Sequence, residues 1–186
     1  MAGLRQSGFS LLELLVTLIV IVLVTSLVSL TVSSGGQDIK LQSQVRELAE
    51  VANYALDEAQ LTGRDYGLLL QRDELEGETA YRYEWRERRQ DGWQLPESGK
   101  DVFAGQLLPP GLELELELED SSTVEIGPTG AEEAAVPQVV LYASGETTAG
   151  AIDIKRQQDG ELLWRVQWDL LGRFEALPRG EEPEDE

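Results

Sequence analysis

The chain has 186 residues, with 15 basic and 35 acidic side chains and a formal net charge of −20. Charge of this sign and size repels nucleic acid, whose binding requires Lys and Arg to neutralise phosphates, and it disfavours anionic lipid as a partner for the soluble part. There is no Cys and no His, which excludes disulfides, thiol nucleophiles, thiolate zinc sites, Ser-His-Asp triads and imidazole bases; any metal site would have to be all-oxygen.

The leader Met1–Gly8 contains Arg5 and no acid, so the positive-inside rule keeps this end in the cytoplasm. An apolar run, Phe9–Val32, follows, interrupted only by Ser, Thr and Glu13 and free of Pro and Gly. As a helix it would reach about 36 Å, enough to span a bilayer core of ~30 Å. Glu13 stands out: an acid at the centre of a spanning helix costs roughly 2.5–3.5 kcal/mol, and a chain that carries one usually uses it. A conventional secretory signal would place its small-residue cleavage site after the run, where Val32-Ser33-Ser34-Gly35 is a weak match. Gly8 instead stands before it.

The stretch Arg5-Gln6-Ser7-Gly8-Phe9-Ser10-Leu11-Leu12-Glu13-Leu14-Leu15-Val16 closely resembles the class III signal of type IV pilins and type II secretion pseudopilins. The resemblance implies that a prepilin peptidase cuts between Gly8 and Phe9 on the cytoplasmic side and methylates the new Phe9 amine. Gly8 suits the cut because it has no side chain to obstruct close approach. Glu13 would then neutralise that amine, on its own chain or on a neighbour, and set the register of packed helices. Major subunits of these families often carry Pro near Leu30, and this chain does not. The K-type tip subunit typically lacks the acid that Glu13 supplies.

Ser33-Ser34-Gly35-Gly36 has low helix propensity and is expected to kink or interrupt the helix. Helical periodicity resumes at Leu41, Val45, Leu48, Ala52, Ala55, Leu56 and Ala59. Asp38 fits an N-cap or first-turn position and Thr62-Gly63 a stop. Gln42, Arg46, Glu47, Glu50, Asn53 and Asp57 take the opposite face. Beyond Gly63 the pattern turns to period two. Strands are expected at 66–70, 81–86, 111–119, 123–126, 139–143, 152–156, 162–168 and 173–176, with a hairpin turn at Gln157–Glu161. Many short strands with turn signals between them suggest antiparallel sheets in a sandwich-like packing against the helix.

Within this region Leu112–Glu119 alternates strictly, placing its leucines on one face and its glutamates on the other. The glutamates could form a cation or basic-partner stripe. Their same-face spacing of about 6.6–6.8 Å is wide for one ion and favours a solvated face that discourages edge aggregation. Tyr81, Tyr83 and Trp85 share a strand face, as do Trp164 and Trp168, and core packing is their expected role. Arg82, Arg86, Arg88 and Arg89 form a small basic cluster in an acidic chain. Gly127–Gln138 reads as a mobile loop and the acidic tail Arg179–Glu186 as disordered.

The C-terminal third adds a second resemblance. Val139–Glu146, Gly150–Ile154 and Trp164–Phe174, with the Ser144-Gly145-Glu146 turn and the Gly172-Arg173 pair, look like the end of the H-type pseudopilin family. Together the two resemblances imply a pilin-like α+β fold: leader 1–8, transmembrane helix 9–32, amphipathic helix 37–62, periplasmic β-rich domain 63–178 and tail 179–186. They imply a non-enzymatic minor pseudopilin anchored in the inner membrane of a two-membrane bacterium, near the tip of the pseudopilus of a type II secretion system. Its expected partners are the I-, J- and K-type minor subunits, the major pseudopilin and prepilin peptidase, with the secretin and exoproteins as further contacts. No nucleic acid, cofactor, catalytic residue or metal is expected. The alternative is a minor pilin of a type IV pilus, serving assembly, adhesion or DNA uptake.

Overall fold

The computed structural model describes residues 11–75, 77–97, 101–130 and 136–181, with the side chains of 25–37, 122 and 123 outside that set. Two compact units divide the chain, Met1–Lys40 and Leu41–Glu186. Helix α1 is assigned to Leu11–Thr62. It passes through Ser33–Gly36 and Asp38, so the expected interruption and N-cap are not realised. The reason is one of magnitude: a helical Gly costs only ~1 kcal/mol relative to Ala, which a long helix absorbs. In the first unit, large apolar side chains from Leu11 to Val24 are 49–84% exposed. Among the described residues no helix is long and apolar enough to cross a membrane.

In the second unit, Leu41, Val45, Leu48, Ala52, Ala55, Leu56 and Ala59 form the buried stripe of α1 that the helical spacing predicts. Gly63 ends the helix in the left-handed conformation (φ 68°), its N–H donating to Ala59 O at 2.9 Å. Among the described residues ten strands follow: β1 Tyr66–Leu75, β2 Glu78–Arg89, β3 Gly92–Gln94, β4 Gln106–Leu107, β5 Leu112–Leu118, β6 Ser121–Val124, β7 Val139–Leu141, β8 Gly150–Arg156, β9 Leu162–Trp168 and β10 Phe174–Pro178. They form two five-stranded sheets. In the first the order is β3-β2-β1-β7 with β4 also on β2; in the second it is β10-β9-β8-β5-β6. All paired strands are antiparallel.

Alternating side chains from both sheets meet the helix in one apolar core. From the first sheet come Tyr66, Leu68, Leu70, Tyr83 and Trp85, with Phe103 packed at tilted and edge-on angles among Tyr54, Tyr66 and Trp85 at ring separations of 5.4–6.3 Å. From the second come Leu112, Leu114, Leu116, Ile152, Ile154, Val166 and the Trp168–Phe174 stack, whose centroids are 4.8 Å apart. The leucines of the Leu-Glu alternation therefore face the core, as the period requires.

Two side-chain amides complete the sheets. Asn53 of α1 accepts from Phe174 N–H at 2.9 Å and donates to Phe174 O at 3.0 Å, docking the edge of β10 on the helix. Gln138 does the same to Leu70, accepting from its N–H at 2.8 Å and donating to its C=O at 2.9 Å. The loop expected to be mobile is thus fastened at both ends: Gly127 O and Thr129 N–H bond Arg72 at one side and Gln138 bonds Leu70 at the other. Residues 131–135 of that loop lie outside the described set. The start of the expected disordered tail is likewise held, with Arg179 N–H donating to Leu163 O at 3.0 Å; residues 182–186 lie outside the described set.

Candidate functional site

Gly8 and Phe9, the residues of the implied processing site, lie outside the described residues. Glu13 sits in the first turn of α1 and is exposed, as are its neighbours Leu11, Leu12, Leu14 and Leu15. Its backbone carbonyl accepts from Thr17 Oγ1 at 2.6 Å. The turn thus combines one carboxylate with a sleeve of exposed leucine, valine and isoleucine. Such a surface is suited to another apolar helix or to lipid.

Two glutamates of the β5 stripe meet cations across the outer face of the second sheet. Glu115 meets Lys155 of β8 at 2.6 Å. Arg165 of β9 lies 3.0 Å from Asp153 of β8 and 3.7 Å from Glu117. The face is solvated as expected, with Glu113 and Glu117 exposed, and Glu115 and Glu117 in addition meet cations brought in from β8 and β9. Burial is the largest influence on Asp153 and raises its pKa above the ordinary aspartate range, against the pull of Arg165 and Lys155.

The arginine cluster of β2 is also internally matched. Arg82 pairs with Asp73, Arg86 with Glu84, Arg88 with Asp65, and Arg89 with Glu87 and Glu97. Glu87 is the most buried acid among the described residues, at 2% exposure. Burial acts to raise its pKa, but hydrogen bonds from Arg64 at 2.5 Å, Glu97 N–H at 3.1 Å and Arg89 at 3.0 Å outweigh that, and the net shift is downward. The charges of these arginines are thus engaged by neighbouring carboxylates.

A polar seam joins α1 to β4. Gln44 donates to Leu107 O at 3.0 Å and to Gln106 Oε1 at 3.2 Å, while Gln106 donates to Glu47 at 2.7 Å. Beside it the Tyr83 hydroxyl is buried and has no hydrogen-bond partner among the described residues. Burial, aided by the charge of Glu47, pushes its pKa up. Spacing alone did not reveal this seam: Glu47 reads as a solvent-facing helix residue, and the two-residue strand that carries Gln106 is too short to leave a period.

Comparison with known proteins places this geometry. The family described as Type II transport protein GspH matches residues 44–172, and the prokaryotic N-terminal methylation motif matches residues 3–29. A Type II secretion system protein H from Aeromonas hydrophila is 28% identical over 186 residues, covering 97% of this chain and 98% of its own. A protein of the same name from Pseudomonas aeruginosa is 32% identical over 143 residues, covering 75% of this chain and 77% of its own. Two solved structures share the fold. The crystal structure of the minor pseudopilin EpsH from the type II secretion system of Vibrio cholerae has a TM-score of 0.58 at 24% identity, over 78% of this chain and 99% of that one. The solution structure of Escherichia coli GspH has a TM-score of 0.53 at 16% identity, over 76% and 90%. The chain belongs to the Type II transport protein GspH family.

Proposed function

We propose that the chain is a structural minor pseudopilin of a type II secretion system, built into the tip of the periplasmic pseudopilus that helps export folded proteins through the outer membrane. The observation that supports this most is the joint presence, in one chain, of the GspH match over 44–172 and the N-terminal methylation motif over 3–29. Prepilin peptidase cuts between Gly8 and Phe9 and methylates Phe9. The segment 9–32 anchors the protein in the inner membrane and holds the β-rich domain in the periplasm. The role is structural, and the working partners are other pseudopilins: the I-, J- and K-type minor subunits and the major subunit, with the secretin and exoproteins beyond them.

Glu13 supplies the register. The Phe9 amine is a cation at the head of an apolar helix, and a carboxylate one turn away offsets it. Stranding one partner of a buried ion pair costs ~3–5 kcal/mol. Glu13→Ala is therefore expected to leave processing intact, read as the mass of the Phe9-terminated chain, while incorporation into the filament falls at least about ten-fold. Wild-type incorporation would remove Glu13 from this role. Deleting the gene is expected to abolish protein secretion and spare twitching; the reverse would assign the chain to a type IV pilus.

A further inference from the structure

The outer face of the second sheet ends in an open groove of about 930 Å³ where β5, β8, β9 and β10 come together. Its floor is one cross-strand row, in which Glu117 pairs with Ala151, Ala151 with Gln167, and Gln167 with Glu175. The uncharged Ala151 and Gln167 thus lie at the centre with glutamates at both ends, and Glu119 also lines the groove. Both cations of the groove are already engaged. Arg165 is held by Asp153 at 3.0 Å, and Arg173 by Asp169 at 2.6 Å. Among the described residues Glu119 and Glu175 find no cationic partner, so the groove keeps an uncompensated negative rim.

Beside it stands an apolar tip. Leu170 and Leu171, in the turn between β9 and β10, are 57% and 60% exposed. The turn is rigidly built: Asp169 Oδ1 accepts from the N–H groups of Leu171 and Arg173, at 3.0 and 3.1 Å, and its other oxygen accepts from Arg173 Nε at 2.8 Å. Two leucines presented to water on a preorganised turn, next to a groove with an acidic rim, have the apolar centre and polar border of a protein interface.

Resting on the reading above, we propose that this groove and the Leu170–Leu171 tip dock a different pilin-like subunit, one that presents Lys or Arg around a leucine-sized apolar cleft. Charge selects the occupant: cations complement the unpaired rim, whereas a second copy of this chain, at −20, would bring acid to acid.

The test uses the full-length chain in its own cells, with the photo-crosslinker benzoylphenylalanine at Gln167 in the groove and, separately, at Leu18 of α1. The expected product from position 167 joins another pilin-like subunit through a peptide bearing Lys or Arg. Glu119→Lys combined with Glu175→Lys is expected to lower that yield at least about ten-fold while the Leu18 product persists. In isolated membranes the wild-type product is expected to fall as NaCl rises from about 50 to about 500 mM, a readout that stands even where the charge variant fails to accumulate. Four results would overturn the proposal: a product only from Leu18, a product with the chain's own copy, a contacting peptide without basic residues, or a yield indifferent to salt. A product only from Leu18 leaves the filament reading standing; loss of both products removes that reading and this one together.

Discussion

At the residue scale, single polar side chains carry a disproportionate share of the fold. Asn53 bonds both backbone groups of Phe174. Replacing it with Leu keeps the bulk and leaves an N–H and a C=O unpaired, so urea unfolding of the detergent-solubilised chain should show a loss of about 2–3 kcal/mol. Glu87 makes a pH prediction. Its pKa is lower in the folded state than the ordinary glutamate value. The stability it contributes is therefore complete above the ordinary glutamate range and is lost as pH falls through that range towards the lower folded value. Glu87→Gln should flatten the acid limb of a stability–pH curve measured by thermal melts; an unchanged slope between about pH 5 and pH 3 would count against the carboxylate's role. Neither role was legible from the chain alone. A helical wheel puts Asn53 on the polar side but cannot say that the edge of β10 runs past it. The expected strand 81–86 stops one residue short of Glu87, and nothing in it names Arg64 as the residue that pairs with it.

At the element scale, what repeats was readable and what is short was not. The buried stripe of α1 and the long strands follow from their periods, and the expected segments overlap β1, β2 and β5 through β10. β3 and β4 have only three and two residues, and they exist because of contacts made elsewhere: Arg89 with Gln94, and Gln44 and Glu47 with Gln106 and Leu107. Local propensity misled at Ser33–Gly36 and Asp38, where helix continuity overrode weak breaking signals. The candidate site divides in the same way: Glu13 and its flanking motif stand in one contiguous stretch of sequence, whereas the partners of the β5 glutamates come from strands some forty residues away. Close strand approach yields a further prediction. A methyl group added at Gly150 would collide with Glu117 O and come within 2.9 Å of the Trp168 ring. Gly150→Ala should destabilise the chain by about 1–3 kcal/mol in the same urea assay, because backbone is among the atoms that must give way.

At the scale of the whole molecule, charge and edges decide how the domain behaves towards others. An excess of acid of this size repels itself, and salt screens that repulsion. Raising NaCl from about 20 to about 500 mM should therefore increase the melting temperature; a decrease would mean that the internal ion pairs outweigh the net repulsion. The sheet edges matter in a different way. The outer side of β7 is closed by the turn that brings Thr147 back onto Leu141 and Val140. The outer side of β10 is closed by Asn53 at Phe174, and Pro178 ends the strand without an N–H to offer. An open strand edge is a template for pairing with a protein's own kind. At these two edges, contact with another molecule is left to side chains, which can be made and unmade, where strand addition would tend to become permanent.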